Sequence, residues 1–225
     1  MAAWVTFDCY GTLADWLGGM RGALEPLVER DDADRLVAAY HELEADVEAQ
    51  RPAPLYREVL AETLRRAAER VGVQLPPDGE HALSQAWDRM PIFEDVGPAL
   101  GALRVAGWRL AILSNCDDDL LAETLRSLPV PFDLTVTAEQ VGSYKPDHGH
   151  WRRFAELTEG RRERWVHVAQ SWFHDIAPAA ELDLPRIWVD RLDSGEDPAH
   201  ATLRVPDLRG LPEAVERAAA SESAS

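Results

Sequence analysis

The sequence predicts an α/β protein built on a parallel sheet, and three observations carry that prediction. Apolar runs of four or five residues alternate with longer stretches of helical periodicity. The runs are apolar almost throughout, as in strands covered on both faces. Polar residues with useful chemistry follow several of the runs: Asp8, Ser114-Asn115, and Gln170 through Asp175. Right-handed crossovers would bring all of them to one rim, the carboxyl edge where open α/β sheets bind ligands. With 225 residues, 46% of them hydrophobic, the chain can bury such a core.

The elements follow in order. Ala3-Trp4-Val5-Thr6-Phe7 is the first strand, closed by Asp8 and the turn Cys9-Tyr10-Gly11-Thr12. A first strand is usually central, so Asp8 stands at the floor of a crevice; its plainer role is to cap the turn. A helical insertion comes next. Leu36, Tyr40, Leu43 and Val47 share one helix face, and Tyr56, Val59, Leu60, Leu64, Ala67 and Val71 another, which stops at Gly72. A third helix is expected near Ala82 to Asp88. Helix Gly97 to Ala106 leads into strand Arg109 to Leu113, and Leu120 to Leu128 mark a further helix. Strand Leu134-Thr135-Val136 precedes a loop with Tyr144-Lys145-Pro146, and Trp151, Phe154 and Leu157 mark the next helix. Trp165 to Ala169 and Arg186 to Val189 complete five strands. The predicted organisation is a core of residues 1–14 and 92–220, a helical subdomain over 15–91, and a frayed tail over 221–225.

The balance of 40 acidic against 23 basic residues, a net charge of -17, argues against nucleic acid or an anionic membrane as partner. Cys9 and Cys116 make no disulfide framework and are expected as free buried thiols. No basic segment precedes an apolar run at the N-terminus, and no stretch reaches membrane-spanning length, so a cytoplasmic protein acting on a small molecule is expected.

Phe7-Asp8-Cys9-Tyr10-Gly11-Thr12-Leu13 resembles the first motif of the haloacid dehalogenase superfamily. Leu113-Ser114-Asn115 is similar to its second, Tyr144-Lys145-Pro146-Asp147 to its third, and His167 to Asp175 stands where the fourth belongs. The resemblance implies a Rossmann-like parallel-sheet core with a helical cap inserted after the first strand. Phosphatases of that superfamily carry a second Asp two residues after the nucleophile, where this chain has Tyr10. They also bind Mg²⁺ through an acidic position that is Gln170 here, and an amide is a poor ligand for a hard cation. The Tyr10-Gly11-Thr12 form resembles the L-2-haloacid dehalogenase branch, which implies catalysis with no metal and no cofactor, and a possible homodimer.

On that resemblance Asp8 is the nucleophile, Lys145 its counter-ion, and Asp175 the carboxylate that orders Lys145 and the hydrolytic water. Asp175 can also cap the helix that follows. Thr12, Ser114 and Asn115 can donate to Asp8 or to a substrate carboxylate, or else cap turns and strand ends. The pattern also departs from the branch. A cap arginine that cradles the departing halide is expected where Tyr40-His41 stands, so His41, Arg51 or Arg57 is the candidate, with a solvent-facing His41 the alternative. Trp151 replaces an expected tyrosine, Trp172 an asparagine and Gln170 a serine. Trp16, Trp151 and Trp172 can form an apolar wall around a small ligand, with Tyr10, Gln170 and Ser171 as further substrate-binding candidates, or the rings simply pack in the core. The expected reaction is hydrolytic dehalogenation of a small 2-haloalkanoic acid through an aspartyl ester. The alternatives are a Mg²⁺-dependent phosphatase, a hydrolase of another small carboxylate, and a binding protein without turnover.

Overall fold

In the computed structural model, residues 3–158 and 164–221 are described. Strand β1 (Trp4–Phe7) is followed by helices α1 (Trp16–Leu24), α2 (Arg30–Glu48), α3 (Tyr56–Val71) and the single turn α4 (Ala82–Gln85). The chain then alternates: α5 (Val96–Val105), β2 (Arg109–Ser114), α6 (Asp118–Ser127), β3 (Leu134–Thr137), α7 (Ala138–Val141), α8 (Gly149–Leu157), β4 (Trp165–Ala169), α9 (Ala177–Glu181), β5 (Arg186–Val189), β6 (Leu203–Val205) and α10 (Leu211–Ser221). All six strands are parallel, in the order β3-β2-β1-β4-β5-β6. The α/β class and the Rossmann-like topology are as expected.

That order puts β1 at the switch point, since the chain runs outward through β2 and β3 on one side and through β4, β5 and β6 on the other. Phe7 is level with Ile112 and Val168, so Asp8 leaves its strand level with Leu113 and Ala169, near the carboxyl ends of β2 and β4. Every residue of β1 is buried, including Thr6, whose hydroxyl accepts from Trp165 Nε1 at 2.8 Å and bonds His167 Nδ1 at 2.9 Å. Gly11 turns the chain away at φ +92°, a left-handed value that favours glycine, and a Cβ there would lie 2.8 Å from Gln170 Oε1.

The helical insertion leaves and re-enters at one place. Asp15 N donates to the Pro91 carbonyl at 2.8 Å and Phe93 N to that of Leu13 at 3.1 Å. Arg191, just after β5, forks onto both oxygens of Asp95 at 2.9 Å and donates to the Thr12 carbonyl at 3.0 Å, pinning this junction to the sheet.

Several expectations need correction. Helix α1 was not foreseen: Gly18, Gly19 and Gly22 hide its periodicity, and it forms because Asp15 caps it and its apolar face is buried. The third helix, expected over Ala82 to Asp88, is broken into short turns around α4. Strand β6 and helix α10 complete the sheet and its cover beyond the five strands expected. Ser221, the first residue of the expected tail, ends α10, its hydroxyl on the Ala218 carbonyl at 2.7 Å; the rest of that tail lies outside the described residues. Cys9 and Cys116 are free and buried, and burial pushes the Cys116 thiol up to about 12.

Candidate active site

A cavity of about 430 Å³ opens above the carboxyl edge of β1, with Asp8 on its floor and α2 and Tyr56 of α3 on its far wall. Asp8 is held at both oxygens. Lys145 Nζ donates to Oδ1 at 2.9 Å, and Thr12 Oγ1 donates to Oδ2 at 2.8 Å while accepting from Gln170 N. Lys145 is itself buried, and its ammonium also donates to Asp175 Oδ1 at 2.8 Å and to the Leu113 carbonyl at 2.9 Å. Burial opposes that charge, yet Asp175 and Asp8 hold the lysine well above its ordinary range, so it stays protonated.

The two carboxylates on this one ammonium differ. Burial pushes the Asp8 carboxyl up against the pull of Lys145. Asp175 is equally buried, but Lys145 and the ring of His167, 2.9 Å from Oδ1, hold it at about 2. A polar line therefore runs under the site from Trp165 through Thr6 and His167 to Asp175. Only Oδ1 of Asp175 is used; Oδ2 has no hydrogen-bond partner among the described residues, although Asp175 lines the cavity.

The other expected residues fall into three groups. Tyr10, His41, Ser114, Asn115, Gln170, Ser171 and Trp172 all line the cavity, as does Trp16. Of these, Ser114 Oγ is buried and, beyond the Cys116 thiol, has no hydrogen-bond partner among the described residues, whereas Asn115 does not bond Asp8: its amide grips the backbone of Lys145, accepting from N at 2.7 Å and donating to O at 3.0 Å. Asn115 thus positions the lysine loop instead of donating to Asp8. Trp151 does not reach the cavity. It packs in the core with Trp4, Phe154 and Trp165, edge-on to His167 at 5.5 Å, so the larger ring fills space beneath the site. Arg51 and Arg57 do not serve it either. Arg51 is exposed and pairs with Asp147, and Arg57 pairs with Asp117 and Asp119. No arginine lines the cavity among the described residues.

Two groups escaped the sequence reading, and a third, His174, entered it only as part of the run Gln170 to Asp175. Glu44 and Glu48 face the cavity from α2, and His174 faces Glu48 from the turn after β4, Nε2 to Oε2 3.3 Å. Glu48 also accepts from Asn115 Nδ2 at 3.3 Å, and the Tyr40 and Tyr56 hydroxyls both donate to Glu44 Oε1 at 3.0 and 2.8 Å. The available signal was the spacing Tyr40, Glu44, Glu48, which continues an apolar helix face with carboxylates. Burial pushes Glu44 up, and Glu48 adds to it. Burial disfavours an imidazolium at His174, but Glu48 and Glu44 pull its pKa above the usual histidine range.

The site thus sets an aspartate at the switch point of a parallel sheet, on a buried lysine shared with a second carboxylate. The sequence profile of the haloacid dehalogenase-like hydrolases matches residues 3–183, and the chain belongs to that family. It is 25% identical over 160 residues to (S)-2-haloacid dehalogenase 1 of Pseudomonas sp. (strain CBS-3), covering 69% of this chain and 70% of that one. With (S)-2-haloacid dehalogenase of Pseudomonas putida it shares 23% over 213 residues, 91% and 93% of the two chains. Among solved structures, the L-2-haloacid dehalogenase RSc1362 superposes with a TM-score of 0.86 at 21% identity, over 96% of this chain and 99% of that one. The Xanthobacter autotrophicus enzyme with chloropropionic acid covalently bound gives 0.81 at 19%, with the same coverage. No described helix is long and apolar enough to cross a membrane.

Proposed function

We propose that the chain hydrolyses the carbon–halogen bond of a small 2-haloalkanoic acid through an ester on Asp8, without metal or cofactor, under a cap formed by the helical insertion. The observation that carries this is the arrangement of two carboxylates with different duties on one buried ammonium. Asp8, at the cavity floor, has its charge compensated by Lys145. Its oxygen attacks the carbon bearing the halogen; the new C–O bond forms as the C–X bond breaks, and halide leaves with the electron pair. Asp175, ionised and with Oδ2 unpaired, then takes a proton from water, whose oxygen adds to the ester carbonyl. Collapse releases the 2-hydroxy acid and restores Asp8. The sum is halide, a proton and alcohol from substrate and one water.

The names of the curated relatives and the covalent chloropropionic acid in the Xanthobacter enzyme support this reading. One departure bears on the leaving group. His41 Nδ1 lies 2.7 Å from the Val37 carbonyl and so carries its proton there; only a doubly protonated ring can also donate from Nε2 to a halide. The phosphatase alternative lacks its acid. The Tyr10 hydroxyl is tied to Thr124 and Trp87, and burial pushes it well above its ordinary range.

Single turnover of L-2-chloropropionate in ¹⁸O water tests the scheme. The label is expected in the Asp8 peptide and absent from the first-turnover product, and Asp8→Asn should release no chloride. Label entering the first product directly would replace the ester with attack by water.

A further inference from the structure

The cation at the floor of the cavity is already committed. Lys145 has three N–H bonds, and they go to Asp8, Asp175 and the Leu113 carbonyl. The remaining charge of the lining is acidic: Glu44, Glu48 and Glu196 add to Asp8 and Asp175, and among the described residues His41 and His174 are the only other basic groups, with no arginine. His174 faces Glu48, but among the described residues no cationic side chain pairs with Glu44.

Glu44 is nevertheless held in place. Two phenols fix its Oε1, and Oε2 accepts no hydrogen bond from the described protein. Tyr10, Trp16 and Tyr56 line the same space, with Trp16 packed against Tyr10 and Tyr40 at ring distances of 6.2 Å. A carboxylate set among aromatic faces suits an organic cation, through ion pairing and attraction to the rings. A monoanion seated beside Glu44 and Glu48 meets like charge instead. Ser114 supplies an independent sign of a ligand: its hydroxyl is fully buried, lines the cavity at the sheet edge and, beyond the neighbouring Cys116 thiol, has no hydrogen-bond partner among the described residues.

We infer that the molecule attacked by Asp8 carries a protonated amine, seated against Glu44 and Glu48, as well as the carboxylate of a 2-haloalkanoic acid. The substrate class is an amino-substituted 2-haloacid, its ammonium on the α2 side and its carboxylate toward Ser114. For its covalent step this inference rests on the displacement proposed above; for its binding it does not.

Calorimetry with two unreactive probes, 6-aminohexanoate and hexanoate, reads the binding alone. The wild-type protein should bind 6-aminohexanoate at least tenfold more tightly, and Glu44→Gln, checked for an unchanged melting profile, should erase the difference. Equal or tighter binding of hexanoate by the wild type would overturn the inference without recourse to any variant, as would a preference that survives in both Glu44→Gln and Glu48→Gln. Turnover separates the two proposals. Chloride release should be faster from 6-amino-2-chlorohexanoate than from 2-chloroheptanoate. If the amine binds as stated but neither compound forms an ester on Asp8, the displacement chemistry fails and the charge preference stands.

Discussion

At the scale of single residues, the site is supported by buried polar groups whose protonation is set by their surroundings. His150 is one of them. It is fully buried below the site, 3.0 Å from the Ser114 carbonyl through Nε2, and its Nδ1 has no partner among the described residues. Burial, with the nearby charge of Lys145, lowers its pKa from 6.5 to about 3. The folded protein therefore keeps this ring neutral while the unfolded chain protonates it near 6.5. Between those values the unfolded state binds more protons, so this contribution is intact above pH 6.5 and fades as the pH falls toward 3. Acidification from pH 7 to pH 4 should cost about 3 kcal/mol through this group. Thermal melts of wild type and His150→Gln across that range check it: the wild-type curve should fall more steeply, and parallel curves would remove His150 from the account. Asp8, Lys145 and Asp175 were legible in the sequence because each follows a strand or closes a recognisable motif. Glu44, Glu48 and His174 were not, because their role depends on where the C-terminal end of α2 meets the loops after β2 and β4. Trp151 stayed open between cavity wall and core for the related reason that a helix position alone does not say which side of the sheet a ring will fill.

At the scale of elements, the strands could be read because parallel strands buried on both faces are continuous apolar runs. Strand β6 was missed because Leu203-Arg204-Val205 is three residues long and lies at an edge, where one face needs little cover. The ends of helices are set by partners distant in sequence. Helix α3 starts with no capping side chain on its own N-cap, Leu55; instead Asp117, from the loop after β2, accepts from Tyr56 N at 2.6 Å and from Arg57 N and Nε at 3.1 Å. One buried carboxylate thus closes the start of a helix in the insertion and ties it to the sheet. Asp117→Ala should cost about 1–3 kcal/mol, the range for a lost cap that leaves buried donors unpaired. Urea unfolding should show the loss, and hydrogen exchange should place it in the first turn of α3. Unchanged protection there would mean that α3 is held by its apolar face alone.

At the scale of the whole molecule, the net charge of -17 acts on whatever enters the cavity, because Glu44, Glu48 and Glu196 bring that sign to its lining. A 2-chloropropionate ion approaches against this field, whereas 6-amino-2-chlorohexanoate, a zwitterion, carries no net charge to be repelled. The repulsion is long-ranged in dilute buffer, where the screening length is about 30 Å at 0.01 M, and short at 0.1 M, where it is about 10 Å. For the displacement chemistry proposed here, kcat/KM for 2-chloropropionate should therefore rise roughly two- to tenfold over that range of ionic strength. For the zwitterion it should stay flat or fall, since added salt also weakens the attraction of its ammonium to Glu44. Sodium sulfate at matched ionic strength keeps product halide out of the comparison. A kcat/KM for 2-chloropropionate that falls with salt would show that an anion is drawn in, and the acidic surface would then have no part in selecting the substrate.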